Sequence, residues 1–358
     1  VRRLIRARVN RAALRANLEV MRAHAPASRV MAVVKANAYG HGLVAAAHAL
    51  AAADAFAVAR IEEAAALRDS GLTGRVVLLE GVLDALQLAE AERLGLELVV
   101  HQEQQIALLE AWRGGSRPAV WLKVDTGMNR LGFRPEQFHQ AWQRLAALQP
   151  PARRLRVLTH LAAADETDGR STTAQLARLH PLLAGLRAEL SIANSAAILS
   201  APATHADWVR PGLALYGISP FGERRGADLG LRAAMSLEST VIALRRVPAG
   251  ERVGYGGIWR ATRASRLAIV AAGYGDGLPR SLPNGAPVLI GAHRAALAGR
   301  VSMDMIAVDI TDLPEVSLGD PVELWGERLP VEEVAAAAGT VAYELVCAVS
   351  QRVPIELV

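Results

Sequence analysis

Lysine is almost missing from this chain of 358 residues: of its 40 basic residues (Lys plus Arg), 38 are arginine and only Lys35 and Lys123 are lysine. Arginine handles surface charge, but its guanidinium does not deprotonate in proteins. Side-chain chemistry that needs a neutral amine, such as imine formation with an aldehyde or uptake of carbon dioxide as a carbamate, is confined to these two positions. Cysteine is scarcer still. With Cys347 alone no intramolecular disulfide can form, which suits a reducing compartment, and Cys347 is expected to pack as a small buried hydrophobe. Aromatic residues make up 4% of the chain, and the tight basic cluster Arg2, Arg3, Arg6 and Arg8 has no stacking residue beside it. The other arginines are scattered among 35 carboxylates. A nucleic-acid surface is therefore not expected.

Long apolar runs are also lacking. A membrane helix needs about 20 strongly apolar residues, and the greasiest stretch, 43–59, is mostly alanine and carries His48 and Asp54. After Ile5 come Arg6, Arg8, Asn10 and Arg11, so no secretory h-region is read there, and a cytoplasmic protein is expected. No Gly-x-Gly-x-x-Gly follows a predicted strand, and there is no Walker-type loop. No metal site is expected.

What is present is an alternation. Continuous, mostly apolar runs at 29–35, 55–60, 75–81, 97–101, 119–125, 154–160, 189–195 and 208–217 are separated by amphipathic segments such as 83–94, 103–112, 135–148 and 172–188. Continuous runs of this kind are expected of strands buried on both faces. Eight strand–helix alternations predict an α/β fold of the (β/α)8, TIM-barrel type over 1–227; a doubly wound open sheet is the alternative. From 228 to 358 the texture changes to short strands (235–245, 266–271, 287–290, 305–310, 321–325 and 353–358) between Gly, Pro and Asp turns, with only 331–338 helical. This predicts a mostly β second domain.

Polar side chains cluster where the barrel runs end: Lys35, Arg60, Glu80, His101, Lys123 with Asp125, His160, Asn194 with Ser195, and Arg210. Barrel enzymes build their sites on that face. Lys35 leaves a buried strand, so desolvation should lower its pKa and make the free amine available.

The string Ala32-Val33-Val34-Lys35-Ala36-Asn37-Ala38-Tyr39-Gly40-His41-Gly42 resembles the cofactor-lysine motif of the alanine racemases, barrel-type pyridoxal-phosphate enzymes. The likeness continues through Lys123-Val124-Asp125-Thr126-Gly127-Met128-Asn129-Arg130-Leu131-Gly132, Thr159-His160, Ala193-Asn194-Ser195 and Arg210-Pro211-Gly212-Leu213. In the second domain it takes in Val253-Gly254-Tyr255-Gly256, Gly299-Arg300-Val301-Ser302-Met303-Asp304 and Tyr343-Glu344-Leu345. It covers essentially the whole chain in order. Gly275, Leu278 and Ala342 depart from the pattern in loops near the mouth of the site.

The resemblance implies pyridoxal 5'-phosphate as cofactor and racemisation of L- and D-alanine as activity. Lys35 would form the internal aldimine and act as base on one face of the substrate. Tyr255, from the partner subunit of a homodimer with composite sites, would be the base on the other. His160 and Arg210 would support Tyr255 through a hydrogen-bonded chain, and Arg210 would face the pyridine nitrogen. Tyr39, Asn194, Ser195, Tyr343 and the N–H groups of Gly212 and Leu213 are implied to bind the cofactor, mainly its phosphate. Arg130 and the Met303 N–H would hold the substrate carboxylate, and Lys123 would carry a carbamate that orients Arg130. The alternatives are a racemase of broader scope acting on serine or basic amino acids, and a non-catalytic pyridoxal-phosphate carrier.

Overall fold

The computed structural model describes residues 3–115, 117–148, 155–166 and 168–358. Each of the eight predicted barrel runs contains a strand: Arg29–Val33, Ala55–Val58, Val76–Leu78, Glu97–Val100, Val120–Lys123, Arg156–Leu158, Leu190–Asn194 and Trp208–Arg210. Arg154, where the sixth run begins, and Arg2 of the basic cluster lie outside the described residues. The eight strands pair in parallel and in sequence order, and the barrel closes where Arg29 and Val30 meet Trp208 and Val209. Helices such as Ala85–Arg93, Glu103–Ala111 and Pro135–Leu148 cover it outside, turning Leu88, Ile106 and Phe138 inward. The segment read as helix over 172–188 is a helix at Arg170–Leu179 that tightens into one short turn at His180–Leu183; Pro181, which lacks an N–H, sits where the change occurs.

At the N-terminal mouth of the barrel, Trp121 and Trp208 pack edge to face with ring centroids 5.9 Å apart. Arg29 and Arg75 lie over the Trp208 ring at 4.2 and 4.6 Å. Arg156 bridges Glu97 at 3.4 Å and Glu189 at 2.7 Å, and those carboxylates also accept the indole N–H groups of Trp121 and Trp208. This chain of alternating charges lies at the end opposite the site, the face where barrel residues serve stability.

The second sheet has eight strands in the order Ser265–Val270, Ile306–Asp309, His293–Leu297, Pro287–Ile290, Pro321–Trp325, Met235–Val247, Arg6–Val9 and Ile355–Leu357. Ser265–Val270 also pairs with the long strand Met235–Val247, so the sheet curls back on itself. Three of its features escape the sequence pattern. Arg6–Val9, at the start of the chain, pairs antiparallel with Met235–Val247 and parallel with Ile355–Leu357, so it joins this sheet and not the barrel. His293–Leu297 is a strand with polar, exposed leading residues and no apolar alternation. Ala342–Ala348 is a second helix besides Val331–Ala338. Among the described residues no helix is long and apolar enough to cross a membrane.

Candidate active site

The first barrel strand stops at Val33, and Lys35 opens a turn of unusual hand. Ala36, Asn37, Ala38 and Tyr39 all have φ of 53–54°. An L-residue in this left-handed conformation costs roughly 1–2 kcal/mol, so such a run persists only where its surroundings hold it. Glu63 takes the Ala36 N–H on one carboxylate oxygen at 2.6 Å and the N–H groups of Ala59 and Arg60 on the other. Asn37 Oδ1 accepts the Leu43 N–H at 2.8 Å. Gly40, at φ 81°, backs so closely onto Val346 that an added Cβ would lie 1.9 Å from its carbonyl oxygen. The turn places Lys35 and Tyr39 on the wall of one cavity.

That cavity, about 470 Å³ at the C-terminal end of the barrel, gathers most of the predicted residues: Lys35, Tyr39, Lys123, Arg130, His160, Asn194, Ser195, Arg210, Gly212, Leu213 and Tyr343. Glu80 and Cys347 line it as well. The expectation for Cys347 is corrected: the thiol is not buried in the core but exposed at this wall, because helix Ala342–Ala348 turns its other face inward through Ala342, Leu345 and Val346. Two strand-end residues do other work. His101 is tied to the Glu80 carbonyl at 3.0 Å, and Asp125 accepts the N–H groups of Gly127 and Asn129 at 2.9 and 3.0 Å, folding the loop that presents Arg130.

Four cationic side chains meet in this space: Lys35, Lys123, Arg130 and Arg210. Burial, then the Arg130 charge, pushes the Lys35 pKa down. Burial, followed by the charges of Arg210, Arg130 and Lys35, brings Lys123 down to about 8. Arg130 lines the cavity without an ion-pair partner among the described residues. Arg210 is fully buried and donates only to neutral groups: Ser191 Oγ at 2.5 Å and the carbonyls of Thr159 and Ile192 at 2.6 and 3.0 Å. Its pKa falls to about 10 through burial, so it remains charged near neutrality. A low-dielectric pocket with this surplus of positive charge is built for anions.

The donor set fits a phosphate. Ser195 Oγ accepts the N–H groups of Gly212 and Ala214 at 2.9 and 3.3 Å. With its lone pairs engaged, its hydroxyl proton is left to give outward. Leu213 opens a short helical turn, Leu213–Tyr216, and the first N–H of a helix has no partner within it. Tyr39 and Tyr343 bring their rings to 5.8 Å of each other at the same end. Burial keeps both phenols protonated, raising Tyr39 strongly and Tyr343 to about 12. An added Cβ at Gly212 would lie 2.6 Å from Tyr39 Oη, so glycine keeps this cradle open. Asn194 caps the helix Ser195–Ser200 through the Ala197 N–H at 3.0 Å.

Tyr255 and Met303 stand apart. Both belong to the second sheet's loops, both are more than half exposed, and neither lines the cavity. Tyr255 sits in the turn between the paired segments Arg252–Val253 and Trp259–Arg260. The Met303 loop is clamped by Arg352, which bonds Asp276 at 2.7 Å, Asp304 at 2.8 Å and the Met303 carbonyl at 3.4 Å. At Gly275 a Cβ would fall 2.9 Å from that guanidinium. Reading the letters alone missed Glu63 and Arg352; each acts through backbone or loop contacts formed across long sequence separations.

Fold and site together define a (β/α)8-barrel enzyme with a lysine-centred anion pocket and a β domain appended. Comparison with known proteins narrows this. Residues 9–220 match the family described as alanine racemase, N-terminal domain, and 234–357 the alanine racemase, C-terminal domain. The alanine racemase of Shewanella baltica (strain OS223) is 48% identical over 350 residues, 98% of each chain. The crystal structure of the biosynthetic alanine racemase from Pseudomonas aeruginosa is 47% identical, with TM-score 0.96 and full coverage of both chains. The crystal structure of alanine racemase from Bartonella henselae with covalently bound pyridoxal phosphate is 31% identical, with TM-score 0.89 and full coverage. This chain belongs to the alanine racemase family.

Proposed function

We propose that the chain interconverts L- and D-alanine with pyridoxal 5'-phosphate, using sites shared between two copies of itself. The observation that carries this reading is the meeting of a half-buried, pKa-lowered Lys35 with a phosphate-type donor cradle in one cationic cavity. When bound, the cofactor supplies an aldehyde for an amine and a ring that withdraws electrons from the substrate α-carbon. Lys35, Tyr39, Asn194, Ser195, Arg210, Gly212, Leu213 and Tyr343 would hold it, and Arg130, with the Met303 N–H of the partner, would take the substrate carboxylate.

Racemisation needs one base on each face of the α-carbon. Lys35 Nζ, its pKa lowered by its surroundings, takes or returns the proton on one face. Tyr255 from the second subunit does so on the other, backed by His160 and Arg210. Arg210 can only donate, so beside the cofactor's ring nitrogen it would leave that nitrogen unprotonated and would limit the electron sink. Lys123, brought to about 8, has neutral amine available to become a carbamate, which would exchange a repelling cation for an anion beside Arg130. In this reading residues 1–227 carry the cofactor lysine and 228–358 supply the second base, in a homodimer in the cytoplasm. The choice of alanine follows from crowding by Tyr255, Tyr343 and Met303.

Incubation of the purified protein with L-alanine in deuterated water tests this. D-alanine should accumulate with deuterium at Cα, dependent on added pyridoxal 5'-phosphate. Decarboxylation, or no exchange with the cofactor present, refutes it.

A further inference from the structure

Behind the left-handed turn, between the barrel and the second sheet, lies a chamber of about 140 Å³ lined in part by His41, Tyr216, Met235 and Trp325. His41 is fully buried. Its Nδ1 lies 3.1 Å from the Ala38 carbonyl and 2.9 Å from the Tyr39 carbonyl. Both are acceptors, so Nδ1 carries the proton and Nε2 the lone pair. Among the described residues no protein group answers His41 Nε2, and none answers the Trp325 indole N–H. One group only accepts and the other only donates. A chamber of this size has room for water, the usual partner of a buried polar group that no protein atom answers. The His41 ring also packs against Tyr216 at 4.6 Å, and Tyr216 stacks on Tyr39 at 4.9 Å.

We propose that His41 is a positioning residue: its shared Nδ1–H locks the left-handed turn that aims Tyr39 and Lys35 into the cavity. Two carbonyls of a strained turn are tied by one donor. Loosening this donor lets Ala38 and Tyr39 relax toward ordinary backbone angles and turns the phenol away from the phosphate end.

The inference rests on the cofactor reading above, and its test separates the two. Asn at position 41 can place an amide N–H where Nδ1–H stood, whereas Gln reaches only the Nε2 position. Binding of pyridoxal 5'-phosphate to apoprotein is measured by absorbance titration for wild type, His41→Asn and His41→Gln, alongside apoprotein melting. His41→Asn should bind within about threefold of wild type. His41→Gln should bind at least tenfold more weakly while melting close to His41→Asn. Wild-type affinity in His41→Gln, or a tenfold loss in a folded His41→Asn, overturns the role of His41 alone. Should His41→Gln fail to fold, the affinity of His41→Asn decides by the same limits. Failure of wild type to bind the cofactor overturns both readings.

Discussion

Arg210 Nη2 lies 3.4 Å from His160 Nδ1. Arginine has no lone pair to offer, so Nδ1 must accept and the His160 proton resides on Nε2. Burial, followed by the charges of Arg210, Lys123, Arg130 and Lys35, holds the His160 pKa well below that of a free imidazole. The ring is therefore a neutral donor at the cavity wall near neutrality, oriented by an arginine that is itself fixed by Ser191, Thr159 and Ile192.

The environment of Arg210 dictates how its replacement behaves. Every partner of its guanidinium is an acceptor. Arg210→Glu would bury a carboxylate against them and strand their lone pairs, a loss of about 3 kcal/mol or more. Arg210→Gln keeps an N–H₂ donor and should lose less. Urea unfolding of the two variants should give this order, and equal stability would contradict the assigned hydrogen bonds. In the folded fraction, Arg210→Glu should raise the ratio of transamination to racemisation, read as pyruvate against D-alanine.

Acid sensitivity follows from the buried histidines. Burial lowers the His41 pKa to about 4, so between that pH and the free value near 6.5 the unfolded chain binds a proton that the folded chain refuses. Stability is fully present above about pH 6.5 and falls as the pH drops toward 4, by roughly 3 kcal/mol from His41 alone. His160 adds to the loss in the same direction. Chemical denaturation of the apoprotein between pH 7 and 4 should show this slope, and His41→Asn should flatten it. A variant that keeps the wild-type slope would place the titration elsewhere.

Tyr255 is largely exposed and lies outside the cavity that holds Lys35. A composite site predicts complementation between subunits. Mixing inactive Lys35→Ala with inactive Tyr255→Ala and allowing subunits to exchange should restore activity to about a quarter of wild type: half the dimers would be hybrids, each with one intact site of two. Hybrids that form, as judged by mass, yet remain inactive would rule out shared sites.

The barrel was legible because parallel strands buried on both faces leave continuous apolar runs, and because their ends carried Lys35, Lys123, His160 and Arg210 in place of packing residues. The strand Arg6–Val9 was not, since its burial alternates over only four residues and its partners lie more than 200 positions away. His293–Leu297 escaped for a related reason: backbone pairing with its neighbours holds it, while its first two residues face outward.

By itself the sequence determined where a neutral amine could exist, since only two lysines interrupt the arginine, and which strand end carried each. Hydrophobic period is a local property and is written in the letters. Tertiary structure alone decided the hand of the turn after Lys35, the gathering of four cations around one cavity, and the exposure of Cys347 at its wall. Those depend on contacts such as Glu63 with Ala36 and Val346 with Gly40, whose energies exist only once distant segments have been brought together.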